Sequence, residues 1–205
     1  DDALPLAAAL PSVPPSTGAD GGAILRVSPA GDFAALADLA GGLHLIDTNP
    51  KNPTFHQYFG SAALGSAVSD IVVAPNGRRA FAVVPGLSAV TAVDVNRLSA
   101  DYLSTLGTVD FSAFTGAAVS NAAVSPDGST LAVSNPGSKT VHFVDIVPGS
   151  STVYGITGSI VFERDLMSGK LVLLYAAPER ILTPRFMAML ESLHERRLLS
   201  LFAID

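Results

Sequence analysis

Three segments of this 205-residue chain repeat one another, and no other feature of the sequence restricts its fold as strongly. They are VSPAGDFAALADLAGGLHLID at 27–47, VAPNGRRAFAVVPGLSAVTAVD at 73–94 and VSPDGSTLAVSNPGSKTVHFVD at 124–145. Each opens on a small residue, a proline and, two positions later, a glycine: Pro29/Gly31, Pro75/Gly77 and Pro126/Gly128. Each closes on an aliphatic residue and an aspartate, Asp47, Asp94 or Asp145, with Pro-to-Asp intervals of 18, 19 and 19 residues. Proline presets φ for the first corner of a turn, and glycine accepts the left-handed geometry that follows. The motif therefore predicts a hairpin into strands such as STLAVSN at 129–135. A second polar turn at 135–139 leads into TVHFVDI at 140–146, where apolar and polar residues alternate with period two. Successive motifs stand 46 and 51 residues apart, enough for a unit of about four strands. Linking stretches such as 51–70 then hold the outer strand and the crossing to the next unit.

These units resemble the SPDG…VxVID repeats of bacterial YVTN/lactonase-like and WD40-like β-propellers, over about residues 23–150. The resemblance implies a mainly β fold, a partial β-propeller of about three blades; the alternative is a sandwich or open meander with fortuitous turns. Three blades do not close a ring, and closure is how such folds remove their edges. A protein partner, or self-association through open blade edges, is the expected consequence.

Composition marks where this pattern stops. Residues 1–150 carry twelve Asp, no Glu and six Lys or Arg; residues 151–205 carry two Asp, all four Glu, all three Met and six Lys or Arg. The change falls near Pro148–Thr152 and divides the chain into 23–150 and 151–205. Ahead of both, the Pro/Ala/Ser/Gly-rich residues 1–22 read as a flexible leader; they start at Asp1, as in a processed or excised chain, and lack the basic region of a signal peptide. There is no cysteine, which excludes disulfides, thiol nucleophiles and cysteine-ligated zinc. A net charge of −6 disfavours a sequence-independent grip on phosphate backbones. No apolar run reaches the roughly 18–20 residues of a membrane span, so no membrane association is expected.

The last quarter has a different pattern. GSIVFERDLMSGKLVLLY at 158–175 suits a strand, a turn and a second strand, the outer hairpin of a blade. Beyond it, TPRFMAMLESLHERR predicts a helix over 184–197 with Phe186, Met189, Leu190 and Leu193 on one stripe. Thr183 suits the N-cap, Pro184 the first helical position, and Arg196 and Arg197 the last turn. Strands over 171–176 and 198–205 would complete a βαβ unit. LLYAAPERILTPRF at 173–186 and SLFAID at 200–205 resemble, over about 161–205, the first motor domain of RecQ-type DNA helicases: its LLYvaPERl segment and the strand leading to its DEAHC box. The resemblance implies a helicase-like α/β fragment in which Asp205 helps hold the magnesium of Mg-ATP, and Pro178, Glu179 and Arg180 lie near bound DNA. No G-x-x-x-x-G-K-[ST] phosphate loop occurs, so no cofactor is expected for this chain; Mg-ATP and DNA enter only if the missing motifs are supplied elsewhere.

The remaining candidates are weak. His44, His56, His142 and His194 are scattered without metal-ligand spacing and read as satisfied surface or core residues. Asp47, Asp94 and Asp145 recur at equivalent strand ends, which favours capping the following turn over a ligand ring at the propeller mouth. Arg78 and Arg79 read as solvated turn residues. The expected function is that of a non-catalytic scaffold for protein or ligand binding. The alternatives are a fragment of a RecQ-like ATP-dependent DNA helicase and a lactonase-like hydrolase, which would need an acid cluster on the propeller axis. An extracytoplasmic location follows from the propeller pattern and a cytoplasmic one from the helicase pattern. The purified chain should show no DNA-stimulated, magnesium-dependent ATP hydrolysis; phosphate release above a protein-free control would contradict this.

Overall fold

Each Pro-x-Gly motif closes a hairpin in the same way. In the computed structural model, which describes residues 24–114, 116, 118–161, 168 and 184–197, Gly31, Gly77 and Gly128 have φ of 73°, 68° and 71°. Their N–H groups donate to the carbonyls of Ser28, Ala74 and Ser125 at 2.8–2.9 Å. The same three residues donate back across the turn to Phe33, Arg79 and Thr130, each at 2.8 Å. The left-handed corner expected of the glycine is present three times.

The hairpins build three four-stranded antiparallel sheets, each with its strands in chain order. The first contains β1 (Ile24–Val27), β2 (Phe33–Ala37), β3 (Gly42–Asp47) and β4 (Tyr58–Ala63). The second contains β5 (Asp70–Val73), β6 (Arg79–Val84), β7 (Ala89–Asp94) and β8 (Thr105–Asp110). The third contains β9 (Ala122–Val124), β10 (Thr130–Asn135), β11 (Thr140–Asp145) and β12 (Ile156–Val161). The first strands β1, β5 and β9 pack side by side in that order. The third sheet thus takes its fourth strand from beyond residue 150, and the compositional change falls in the turn between β11 and β12.

Burial shows how the sheets stack. Every residue of β6 and β7 is buried, whereas β3, β10 and β11 alternate between buried and half-buried. Ala80, Ala82 and Val84 of β6 join Leu43 and Leu45 of the first sheet in one apolar cluster. Phe81 and Val83 of the same strand join Leu131, Val133 and Val144 of the third sheet in another. The second sheet is therefore covered on both faces, and its strands lose the period-two alternation that a one-sided sheet keeps.

A second contact repeats between sheets. After each strand-end aspartate the chain returns through a tight turn: His56, Leu103 and Tyr154 donate their N–H to the carbonyls of Asp47, Asp94 and Asp145 at 2.7–2.8 Å. All three returning residues are left-handed, with φ of 60°, 66° and 62°. Four residues further on, each fourth strand carries a glycine: Gly60, Gly107 and Gly158. Leu103 of the second sheet lies against Gly60 of the first, and Tyr154 of the third against Gly107 of the second, where a Cβ would collide with these side chains. A Cβ on Gly158 would meet nothing within 4 Å.

A second unit begins at Ile160, within the last residues of β12. Its described helix, α1 (Pro184–Glu195), begins at the proline placed there by sequence, and Phe186 and Leu193 are buried with Met189 and Leu190 half-buried on the same stripe. Arg196 and Arg197 follow the helix in a turn instead of lying in its last turn, because the left-handed Arg197 (φ 56°) bonds back to His194. Thr183, the strands expected over 171–176 and 198–205, and the second strand of the 158–175 hairpin lie outside the described residues. The two glycines permit a direct contrast. Gly107→Val should destabilise the chain by about 1–3 kcal/mol, as overpacking does, and Gly158→Val by less than about 0.5 kcal/mol, both read from urea denaturation midpoints.

Candidate functional site

The strand-end aspartates cap turns. Asp47, Asp94 and Asp145 each accept the backbone N–H two residues on, from Asn49, Asn96 and Val147, at 2.8–2.9 Å. Asp47 is fully buried and also accepts from Asn52, from the Thr54 hydroxyl at 2.5 Å and from Arg97 of the second sheet at 3.2 Å. Burial opposes its charge, yet bonds from Thr54, Asn49, Asn52 and Arg97 outweigh that and hold its pKa below the usual carboxylate value. Ser150, Thr152 and the Val147 N–H do the same for the carboxylate of Asp145. All three carboxylates cap the turn that follows their strand, the role expected from their recurrence.

Where the first strands meet, Asp70 ties all three sheets together. It accepts from the Arg26 guanidinium of β1 at 2.8 Å and from the Ala122 N–H of β9 at 3.1 Å. Asp70 is also the one acid carried by β1, β5 and β9, and it is already paired. No three His, Asp or Glu side chains converge on a metal-sized site among the described residues.

Three further features differ from the sequence expectations or were absent from them. Arg79 is buried, not solvated: its guanidinium sits 5.6 Å from the Phe81 ring and lines a shallow cleft of about 240 Å³ with Pro75, Asn76, Asp127, Ser129 and Pro148. The strand begins one residue after the turn glycine's neighbour, so Arg79 is drawn into the sheet while Arg78 stays exposed. His142 is fully buried, 4.3 Å from the Phe114 ring and 5.3 Å from Phe111, with Nδ1 2.7 Å from the Ser159 hydroxyl and Nε2 unpartnered. It is therefore not the fully satisfied histidine expected; its place in the period-two pattern beside Val144 was the available signal. His44, at the corresponding place in β3, pairs with Asp38 at 2.7 Å. The candidate residues Asp205, Pro178, Glu179 and Arg180 lie outside the described residues.

Among the described residues, the two outer sheet faces carry apolar side chains. Paired residues share a face, so Leu25, Val27, Leu36, His44, Ile46 and Tyr58 line the face of the first sheet turned away from the second. Leu25 is 52% exposed and Val27 57%. Ile71, four residues before the motif proline as Leu25 is, is 0% exposed because the first sheet covers it. Ala132, Val141 and Phe143 line the corresponding outer face of the third sheet.

No protein-family model matches this chain, and no curated protein sequence matches it. Solved structures do. Kuenenia stuttgartiensis hydrazine synthase superposes with a TM-score of 0.52 at 17% identity, over 66% of this chain and 34% of that one. The Myceliophteria thermophila Cps50 (Swd1) β-propeller domain gives 0.52 at 15%, over 67% and 40%. A Bacteroides uniformis protein described as a 6-phosphogluconolactonase gives 0.53 at 19%, over 66% and 39%. The fold is β-propeller-like. The chain spans about a third to two-fifths of the length of these structures, and its three four-stranded antiparallel sheets are similar to propeller blades.

Burial of His142 holds its pKa below the ordinary value of 6.5. The unfolded chain binds the proton more readily, so this stabilisation is complete above about pH 6.5 and is lost as pH falls below it. Denaturation midpoints should fall between pH 7.5 and pH 5, and His142→Gln should flatten that slope; an unchanged slope would refute the assignment.

Proposed function

We propose that this chain is a non-catalytic β-propeller-type scaffold that binds protein through its blade faces. The observation that carries this is the contrast between Leu25 and Ile71: equivalent residues, one half-exposed and one sealed by a neighbouring blade. A blade face built to be covered, with Leu25, Val27, Ile46 and Tyr58 in one register, supplies the contiguous apolar surface that marks an interaction site. The paired state of Asp70 and the turn-capping state of Asp47, Asp94 and Asp145 support a structural use of these acids.

A photo-crosslinking residue tests this directly. Placed at Val27, it should form adducts with polypeptide in extracts of the source organism, and placed at Leu98, which is 95% exposed outside any sheet, it should not. Absence of any polypeptide adduct at Val27 would overturn the scaffold assignment.

A further inference from the structure

The chain makes one kind of inter-blade contact twice. At both internal junctions a left-handed residue nine positions after the strand-end aspartate enters a glycine site on the preceding blade: Leu103 on Gly60, Tyr154 on Gly107. The third blade repeats the glycine at the same distance from its aspartate, as Gly158, and the site around it is open. The first blade repeats the entering residue as His56, with the same left-handed φ and the same bond to its aspartate carbonyl. Phe55 stacks on His56 at 3.5 Å, giving a ring pair where the second blade presents Tyr102 and Leu103.

We propose that a second copy of this chain docks head to tail, its His56 entering the open site at Gly158. Around that contact the outer face of the first blade (Leu25, Val27, Leu36, Ile46) meets the outer face of the third (Ala132, Val141, Phe143), as the equivalent residues do at the two internal junctions. The occupant is a second copy because both halves of the contact are on the same molecule and continue an interface it already forms. Three blades from each copy, joined by two identical contacts, close a six-bladed ring, within the range of about four to eight blades that propellers use. Closure covers both apolar faces at once, which an open chain of copies would not do.

The inference deepens the scaffold assignment by naming the partner of the blade faces, and the two fail separately. Light scattering on the full chain, across a concentration series, should show a species of twice the 21.0 kDa chain mass. Gly158→Trp fills the site and should weaken dimerisation by about tenfold or more, as overfilling a packed contact does. His56→Ala removes the entering ring without touching the third blade and should weaken it as well, so a folding defect in one variant leaves the other to decide. A monomer at every concentration, or a dimer indifferent to both substitutions, would overturn the proposal. A monomer that still crosslinks another polypeptide through Val27 would overturn the dimer and leave the scaffold standing.

Discussion

Face-to-face burial of one sheet on the next is the constraint from which the rest of this structure follows. A four-stranded sheet has two faces, and in the second blade both are sealed: Ala82 and Val84 point to one neighbour, Phe81 and Val83 to the other. Burying both faces explains why β6 and β7 show no period-two exposure. The unbroken apolar run Ala80–Val84 suits burial on both sides, whereas β10, with Thr130 and Ser134 on its outer face, suits burial on one. Asp70 then fixes the rotation between blades, since a carboxylate that accepts from both flanking first strands defines their spacing.

Much of this is legible in the sequence. The Pro-x-Gly turns, the strand-end aspartates and the 46- and 51-residue spacing dictate three copies of one unit, and the three sheets follow them closely. The helix start at Pro184 and its Phe186–Leu193 stripe were equally readable, because propensity and periodicity agree there. What sequence left hidden were features set by neighbours. Nothing in the local pattern distinguishes Arg79 from Arg78; only the register of β6 against β7, Arg79 opposite Asp94, draws one inward. The meaning of the glycine in the fourth strand appears only when the following blade supplies a side chain to fill it. The compositional change near residue 150 is real, yet it does not coincide with the end of the third sheet, because β12 belongs to the sheet by hydrogen bonding whatever its composition.

Polar groups inside the stack divide by whether they are compensated. Asp47 is sealed from solvent and survives as a carboxylate because four groups donate to it. His142, sealed equally, has one ring nitrogen on Ser159 and none on the other, so the neutral form is the one the fold favours. The two groups therefore bound stability at different acidities: the aspartate resists protonation to below its ordinary value, while the histidine, favoured neutral by burial, opposes folding at higher pH than the aspartate does.

The contact that repeats between neighbouring sheets lies on their faces. A left-handed non-glycine residue costs roughly 1–2 kcal/mol, and this chain holds three at equivalent places. At Leu103 and Tyr154 the inter-blade contact with a glycine contributes to offsetting that cost. His56 has no such glycine among the described residues, yet its backbone is the same, held by its N–H on the Asp47 carbonyl at 2.8 Å. The conformation is thus set by the turn within each blade and not by the neighbour that receives it. Histidine is also among the residues that tolerate this region best, which lowers the cost where no contact offsets it. A surface whose shape is fixed before its partner arrives loses little conformational freedom on binding, and that is the property an exposed blade face needs if it is to be covered at all.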